Sequence, residues 1–250
     1  MPTFLHTADW QIGRLYTTFP PDEAAALAEA RLQVVERIAE LARNEGVDAV
    51  LVAGDVFDAQ GVAPRTIRRL FLALQGFGGP WVMIPGNHDA ALADGVWATA
   101  QRLGVVPPNV HLCLGPAAQV VELAGPRTAV LCAPLSQRHT HGDLTEPFDA
   151  LASPDGWWRV GLAHGAVQGL LPEGIDSANP IAPDRAQRAR LDYLALGDWH
   201  GTRLIDERTW YSGTPEPDRF RDNGAGQVLK VSLGAAGRPP EVVALAVGRH

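Results

Sequence analysis

The stretch Val47-Asp48-Ala49-Val50-Leu51-Val52-Ala53-Gly54-Asp55-Val56-Phe57-Asp58 decides the fold. Val47–Ala53 is an almost unbroken apolar run, and a strand that is apolar on both faces belongs in a parallel sheet covered on both sides. Gly54 lets the chain turn tightly at its end, so Asp55 stands at the strand terminus. Working outward, Thr3–Ala8 reads as an earlier strand, and Asp22–Asn44 carries Leu27, Ala30, Val34, Ile38 and Leu41 at helical spacing. Pro64 opens a second helix over Arg65–Leu74, where a proline early in the first turn is favourable, and Trp81–Ile84 reads as a third strand. Alternation of strand and helix is the mark of a layered α/β fold.

The second half changes character. Val110–Leu114, Gln119–Leu123, Thr128–Ala133, Arg159–Ala163 and Tyr193–Leu196 are short apolar segments separated by turn residues. Leu204–Asp206, Thr209–Ser212, Gln227–Leu233 and Glu241–Ala246 resemble a closing meander of hairpins. Two mixed β-sheets packed face to face and flanked by helices, a four-layer α/β sandwich, use all of these segments. The length of 250 residues favours one domain over residues 1–250, with no separate capping domain. Ser136–Asp143 and Gly169–Asp184 are expected to be mobile loops.

Composition excludes more than it specifies. Hydrophobic residues at 46% and charged residues at 20% are those of a globular protein, and no apolar run is long enough to span a membrane. The first residues lack the basic and apolar regions of a secretory signal, so a cytoplasmic location is expected. Cys113 and Cys132 lie far apart in apolar segments, which suits buried free thiols rather than a disulfide or a zinc site. The net charge of -7 argues against nonspecific coating of nucleic acid, although Asp9, Asp55, Asp58, Asp89 and Asp198 account for part of it. Lys230 is the single lysine, so any phosphate-binding surface must be built from arginine.

Five polar signatures follow apolar runs: Asp9-Trp10-Gln11, Gly54-Asp55-Val56-Phe57-Asp58, Gly86-Asn87-His88-Asp89, His164-Gly165 and Gly197-Asp198-Trp199-His200. An open α/β sheet presents ligands on loops at the carboxyl ends of its strands, and these signatures sit there. Each alone has an ordinary reading: Asp55 as a helix cap, Asn87-His88 as a turn, His164 or His200 as a satisfied core histidine. Together they offer carboxylates, an amide oxygen and imidazoles at successive strand ends, which suits divalent cations. Trp10 and Trp199 are expected to wall the site, with stacking on a base as the alternative.

These motifs resemble those of the calcineurin-like metallophosphoesterase superfamily, D-x-H, G-D-x-x-D, G-N-H-D/E, a lone His and G-H-x-H. Leu5-His6-Thr7-Ala8-Asp9-Trp10-Gln11-Ile12-Gly13 and Trp210-Tyr211-Ser212-Gly213-Thr214-Pro215 are similar to its DNA repair nuclease branch, to which the nuclease subunit of the bacterial SbcCD complex belongs. The resemblance runs from residue 3 to about residue 233 and implies the metallophosphoesterase-like sandwich. It also implies two divalent ions, one held by Asp9, Gln11, Asp55 and His200, the other by Asp55, Asn87, His164 and Asp198, with Asp55 bridging. His88 is then the general acid, Asp58 or a neighbouring carboxylate orients its ring, and Asp89 supports the ligands. The reaction implied is phosphodiester hydrolysis by in-line attack of a hydroxide shared between the ions. Arg14, Arg219 and Arg221 are the candidate substrate-binding arginines.

Two positions depart from the pattern: Gln11 stands for the histidine of D-x-H, and Asp198 for the first histidine of G-H-x-H. Both replacements are oxygen donors, so manganese is expected, with magnesium or ferrous iron as alternatives and zinc less suited. DNA is the partner implied, with an ATPase subunit and a homodimer left open. The competing readings are a phosphatase or phosphodiesterase for a nucleotide or other small phosphoester, and a catalytically degenerate scaffold.

Overall fold

The computed structural model describes residues 1–169, 178–217 and 223–249. The first sheet is built on three parallel strands, β1 (Thr3–Thr7), β2 (Ala49–Ala53) and β3 (Trp81–Ile84), extended by β4 (Val110–Leu112). Phe4 lies opposite Ala49, and Val50 opposite Trp81. The second sheet centres on parallel β6 (Thr128–Ala133), β7 (Trp158–His164) and β10 (Tyr193–Gly197), with β5 (Gln119–Leu123) antiparallel at one edge. A small parallel pair, β8 (Ala166–Val167) and β9 (Pro180–Ile181), follows β7.

Alternation along the strands explains the layers. Phe4, Leu51, Val82 and Ile84 of the first sheet pack against Val130, Cys132, Leu162 and Tyr193 of the second, forming the core between sheets. The intervening residues Leu5, Val50, Val52 and Met83 face the helices α1 (Pro21–Asn44), α2 (Pro64–Leu74) and α3 (Val96–Arg102). The far face of the second sheet buries Leu131, Leu194 and Leu196 under Phe148 and Ala186. Among the described residues that fourth layer is thin: one 3₁₀ turn (Glu146–Asp149) and the single-turn α4 (Arg185–Arg188). Cys113 and Cys132 are buried free thiols, as expected. No helix among the described residues is long and apolar enough to cross a membrane.

Three expectations are corrected. The closing segments do not form one meander. The hairpin of β11 (Arg203–Asp206) and β12 (Thr209–Tyr211) joins the second sheet beside β10. The hairpin of β13 (Gln227–Ser232) and β14 (Glu241–Ala246) returns to the first, where Val231 pairs antiparallel with Phe4. The stretch 136–143 is tied down: Asn179 accepts from Thr140 N at 2.8 Å and donates to Arg138 O at 3.1 Å, and Asp143 accepts from Arg185 at 2.8 Å. Within Gly169–Asp184, residues 170–177 lie outside the described residues, whereas Pro180–Ile181 is strand.

Helix α3 is absent from the sequence reading because its cap is remote. Gln60 accepts a hydrogen bond from Val96 N at 3.1 Å and donates to Ala90 O at 3.0 Å. Trp97 anchors the helix by an edge-to-face contact with Phe57, centroids 5.2 Å apart.

Candidate metal centre

Five strand ends deliver the candidate residues to one place. Asp9 follows β1, Asp55 follows β2, Asn87 and His88 follow β3, His164 ends β7, and Asp198 follows β10. The loops are laced together through backbone bonds, Asp9 N to Gly54 O at 3.0 Å and Gln11 N to Asp55 O at 2.9 Å, and Gly165 N to Gly197 O at 3.1 Å. Asp9, Gln11, Asp55 and Asp198 all have positive φ, at 55°, 49°, 52° and 101°. Non-glycine residues rarely adopt that region, and its concentration here marks a site whose geometry is imposed by its surroundings. Gly86 has no room for a side chain, because a Cβ would strike the Asp55 carboxylate.

Oxygens of Asp9 and Asp55 and a ring nitrogen of His164 all lie within 4.8 Å of one another. His164 donates its Nδ1 proton to Ala53 O at 2.8 Å, since a carbonyl can only accept. Its Nε2 therefore points inward, 3.6 Å from both Asp55 Oδ1 and Asp198 Oδ1. Burial alone would lower the His164 pKa, but the Asp55, Asp198 and Asp9 carboxylates raise it to about 9. Asp9 moves up to about 6, chiefly through burial. A cation entering the cluster would displace protons from such groups. Asn87 donates to Asp198 Oδ1 at 3.3 Å, while Asn87 Oδ1 and His164 Nε2 are buried with no hydrogen-bond partner among the described residues. Buried polar atoms are rarely left so, and these two are the kind a hard or borderline divalent ion ligates. The donor set Asp55, Asn87, His164 and Asp198 fits a metal ion.

The other side differs. Arg14 Nη1 donates to Gln11 Oε1 at 2.5 Å, and Gln11 Nε2 lies 3.3 Å from His200 Nε2. Gln11 Oε1 and His200 Nε2 on this side are thus already engaged.

His88 stands at the mouth, its side chain 35% exposed, with Nε2 4.0 Å from Asp55 Oδ2. Its Nδ1 donates to Asp58 O at 2.9 Å, so the backbone carbonyl of Asp58 orients the ring, correcting the expectation that the carboxylate does. A carbonyl serves because it fixes the tautomer as firmly and brings no additional charge. Asp89 receives Gly86 N at 2.6 Å and Phe57 N at 3.1 Å, pinning two ligand loops, and burial first, then Asp55, raises its pKa to about 7. Trp10 is a fully buried wall bonded to Thr7, whereas Trp199 is 40% exposed at the rim with the Arg203 guanidinium 4.9 Å above its ring. Arg219 and Arg221 lie outside the described residues.

Three supporting residues escaped the sequence reading. Arg31 donates to Trp10 O at 3.1 Å, holding the first loop, and nothing near it in sequence signals that role. Tyr211 donates to Gly165 O at 2.7 Å and accepts from Val167 N at 2.9 Å, holding the turn after His164. Its place in the segment Trp210–Pro215 was a signal. Arg203 was unmarked, because stacking on Trp199 depends on the β11 register.

The fold and this cluster define an α/β protein that gathers carboxylates, an amide and imidazoles from two sheets around a candidate metal site. The family model described as calcineurin-like phosphoesterase matches residues 2–202, and the chain belongs to that family. It is 39% identical to a subunit of the nuclease SbcCD of Rhodobacter capsulatus, a match covering 85% of this chain and 62% of the relative. It is 29% identical to the DNA double-strand break repair protein Mre11 of Aeropyrum pernix, covering 93% of this chain and 58% of the relative. The chain thus spans about three-fifths of the length of these relatives. The crystal structure of TT1561 of Thermus thermophilus shares the fold, with a TM-score of 0.61 at 15% identity over 98% of this chain and 99% of that one.

Proposed function

We propose that this chain is a divalent-metal-dependent phosphodiesterase acting on DNA, as exonuclease or endonuclease. The observation that carries the reading is a pair of buried donor atoms without partners among the described residues, Asn87 Oδ1 and His164 Nε2. His164 Nε2 lies 3.6 Å from oxygens of Asp55 and Asp198, and the Asn87 amide meets Asp198 beside the partly exposed His88. A divalent ion held there would neutralise phosphate oxygens and lower the pKa of a bound water toward neutrality. Manganese is the ion the oxygen-rich donor set favours, with magnesium or ferrous iron as alternatives, and the two-ion count implied by the resemblance fits one side of the cluster only.

The chain's own residues supply the rest. His88, its ring locked by the Asp58 carbonyl, keeps Nε2 facing the cluster and can hold a proton there for the leaving oxygen. The His88 backbone N–H donates to Asp55 Oδ1 at 2.9 Å, fixing the acid and the ligand to each other. Arg14 reaches toward the cluster from the first loop and can meet a nonbridging phosphate oxygen. Trp199 with Arg203 offers an exposed ring and a cation at the rim, suited to a base and its phosphate. DNA as substrate is supported by the names of the relatives and by this rim. An ATPase partner and a cytoplasmic setting belong to the same proposal, the first carried by the family resemblance and the second by the composition of the first residues.

The test is hydrolysis of labelled single- and double-stranded DNA, bis(p-nitrophenyl) phosphate and p-nitrophenyl phosphate with manganese, before and after EDTA treatment. DNA and the diester are expected to be cleaved and EDTA to abolish both activities. Cleavage of the monoester alone would replace this reading with a phosphatase. Inactivity with every divalent ion would leave a scaffold.

A further inference from the structure

Deepening the metal-dependent reading above, on which it rests, we propose that the chain binds a single tight divalent ion, at Asp55, Asn87, His164 and Asp198. On the opposite side, an Arg14–Gln11–His200 hydrogen-bonded chain stands where a second ion would need its ligands. The two sides of the cluster differ in one respect that decides this: whether the amide oxygen and imidazole nitrogen that would ligate are already tied up in hydrogen bonds to neighbouring side chains.

A guanidinium carries only donors, so the Gln11 amide atom 2.5 Å from Arg14 Nη1 is necessarily the oxygen. The amide nitrogen then faces His200, 3.3 Å from its Nε2. An N–H₂ group can only donate, so His200 Nε2 accepts and its one in-plane lone pair is spent on Gln11. A metal ion on this side would need that same lone pair. Turning the amide to free it would aim N–H₂ at Arg14, donor against donor. The conformation is not casual, because Gln11 is buried and its backbone is held at φ 49° with its N–H bonded to Asp55 O at 2.9 Å. The tight side shows the opposite condition. His164 Nδ1 is committed to Ala53 O, which leaves Nε2 turned inward, and both that atom and Asn87 Oδ1 are buried without partners among the described residues. Asp9 adds its carboxylate to the same group.

The full 250-residue chain, stripped with EDTA, would be titrated with manganese chloride. Bound metal would be counted by elemental analysis and the spin environment read by electron paramagnetic resonance. One tightly bound manganese per chain with a mononuclear spectrum is expected. Arg14→Ala combined with Gln11→His should raise the count from one to two and produce an exchange-coupled spectrum. Arg14→Ala alone, which leaves the ligand residues unchanged, should weaken the exclusion and raise the count at high manganese. His164→Ala should lower the count below one. Two tight ions or exchange coupling in the unaltered chain would overturn the proposal, as would a folded double variant, checked by circular dichroism, that still holds one. One ion bound without cleavage of DNA or diester would support this proposal and sink the phosphodiesterase reading. No manganese bound at all would sink both.

Discussion

At the residue scale, the centre divides into groups that would hold metal and groups that would touch substrate, and the two should separate in experiments. His88 is linked to the ligands only through its backbone N–H and keeps its ring on Asp58 O. His88→Ala should therefore lower kcat by about 10²–10⁴, the usual worth of a positioned acid, while bound manganese stays unchanged. Loss of metal along with rate would make His88 a ligand instead. Trp199 makes a different prediction, because it is exposed and already carries a cation on its face. Stacking of a base on an aromatic ring is worth about 1–3 kcal/mol. Trp199→Ala should accordingly raise KM for single-stranded DNA roughly tenfold or more, with kcat held and with Trp199→Phe largely restoring it. An unchanged KM would return Trp199 to the role of a wall. Asp9, Asp55, Asn87, His164 and Asp198 were readable because each is a donor placed directly after an apolar run. The orienting group on His88 was not, since a backbone carbonyl has no letter in the sequence.

At the element scale, the strands were legible wherever burial on both faces, or alternation, left an unbroken apolar signature, as in Ala49–Ala53 and Thr128–Ala133. Helices α1 and α2 announced themselves by length, periodicity and an early proline. Helix α3 did not, because only seven residues long it depends on Gln60, 36 positions away, for its first N–H. Gln60 also binds Ala90 O, just beyond His88 and Asp89, so one side chain joins a helix start to the loop that bears the acid. Gln60→Ala should destabilise the protein by roughly 1–2 kcal/mol, comparable to the loss of a cap or of a bonded buried amide. It should also lower kcat with metal content unchanged, measured by urea unfolding and steady-state kinetics on one preparation. A loss of stability with kcat untouched would show that the His88 loop stands without it. The destination of the final hairpins was illegible for a related reason: β13 joins β1 across almost the entire sequence, and strand pairing at that separation leaves no local trace.

At the scale of the whole molecule, the centre exists only while the two sheets stay in register, since Asp9, Asp55 and Asn87 come from one and His164 and Asp198 from the other. His6 is a polar tie across that interface. On β1 it is buried, with Nε2 donating to Leu196 O at 3.1 Å and Nδ1 accepting from the Tyr193 hydroxyl at 2.8 Å, both on β10. The carbonyl can only accept, which fixes the neutral tautomer. Burial, partly offset by the Leu196 carbonyl, lowers its pKa from 6.5 to about 3. Between those values the unfolded chain binds a proton that the folded chain refuses. Stability must then fall as pH is lowered from 6.5 toward 3, at up to about 1.4 kcal/mol per pH unit from this residue. His6→Gln keeps a donor and an acceptor in the position but cannot titrate. Urea unfolding of metal-free protein between pH 7 and pH 4 should show the unaltered chain losing stability more steeply than His6→Gln, by roughly one proton's worth. The carboxylates of the centre contribute equally to both proteins and cancel in the difference. Parallel stability curves would mean that His6 is protonated in the folded state, and that the seam between the sheets admits charge where the hydrogen bonds to Leu196 and Tyr193 exclude it.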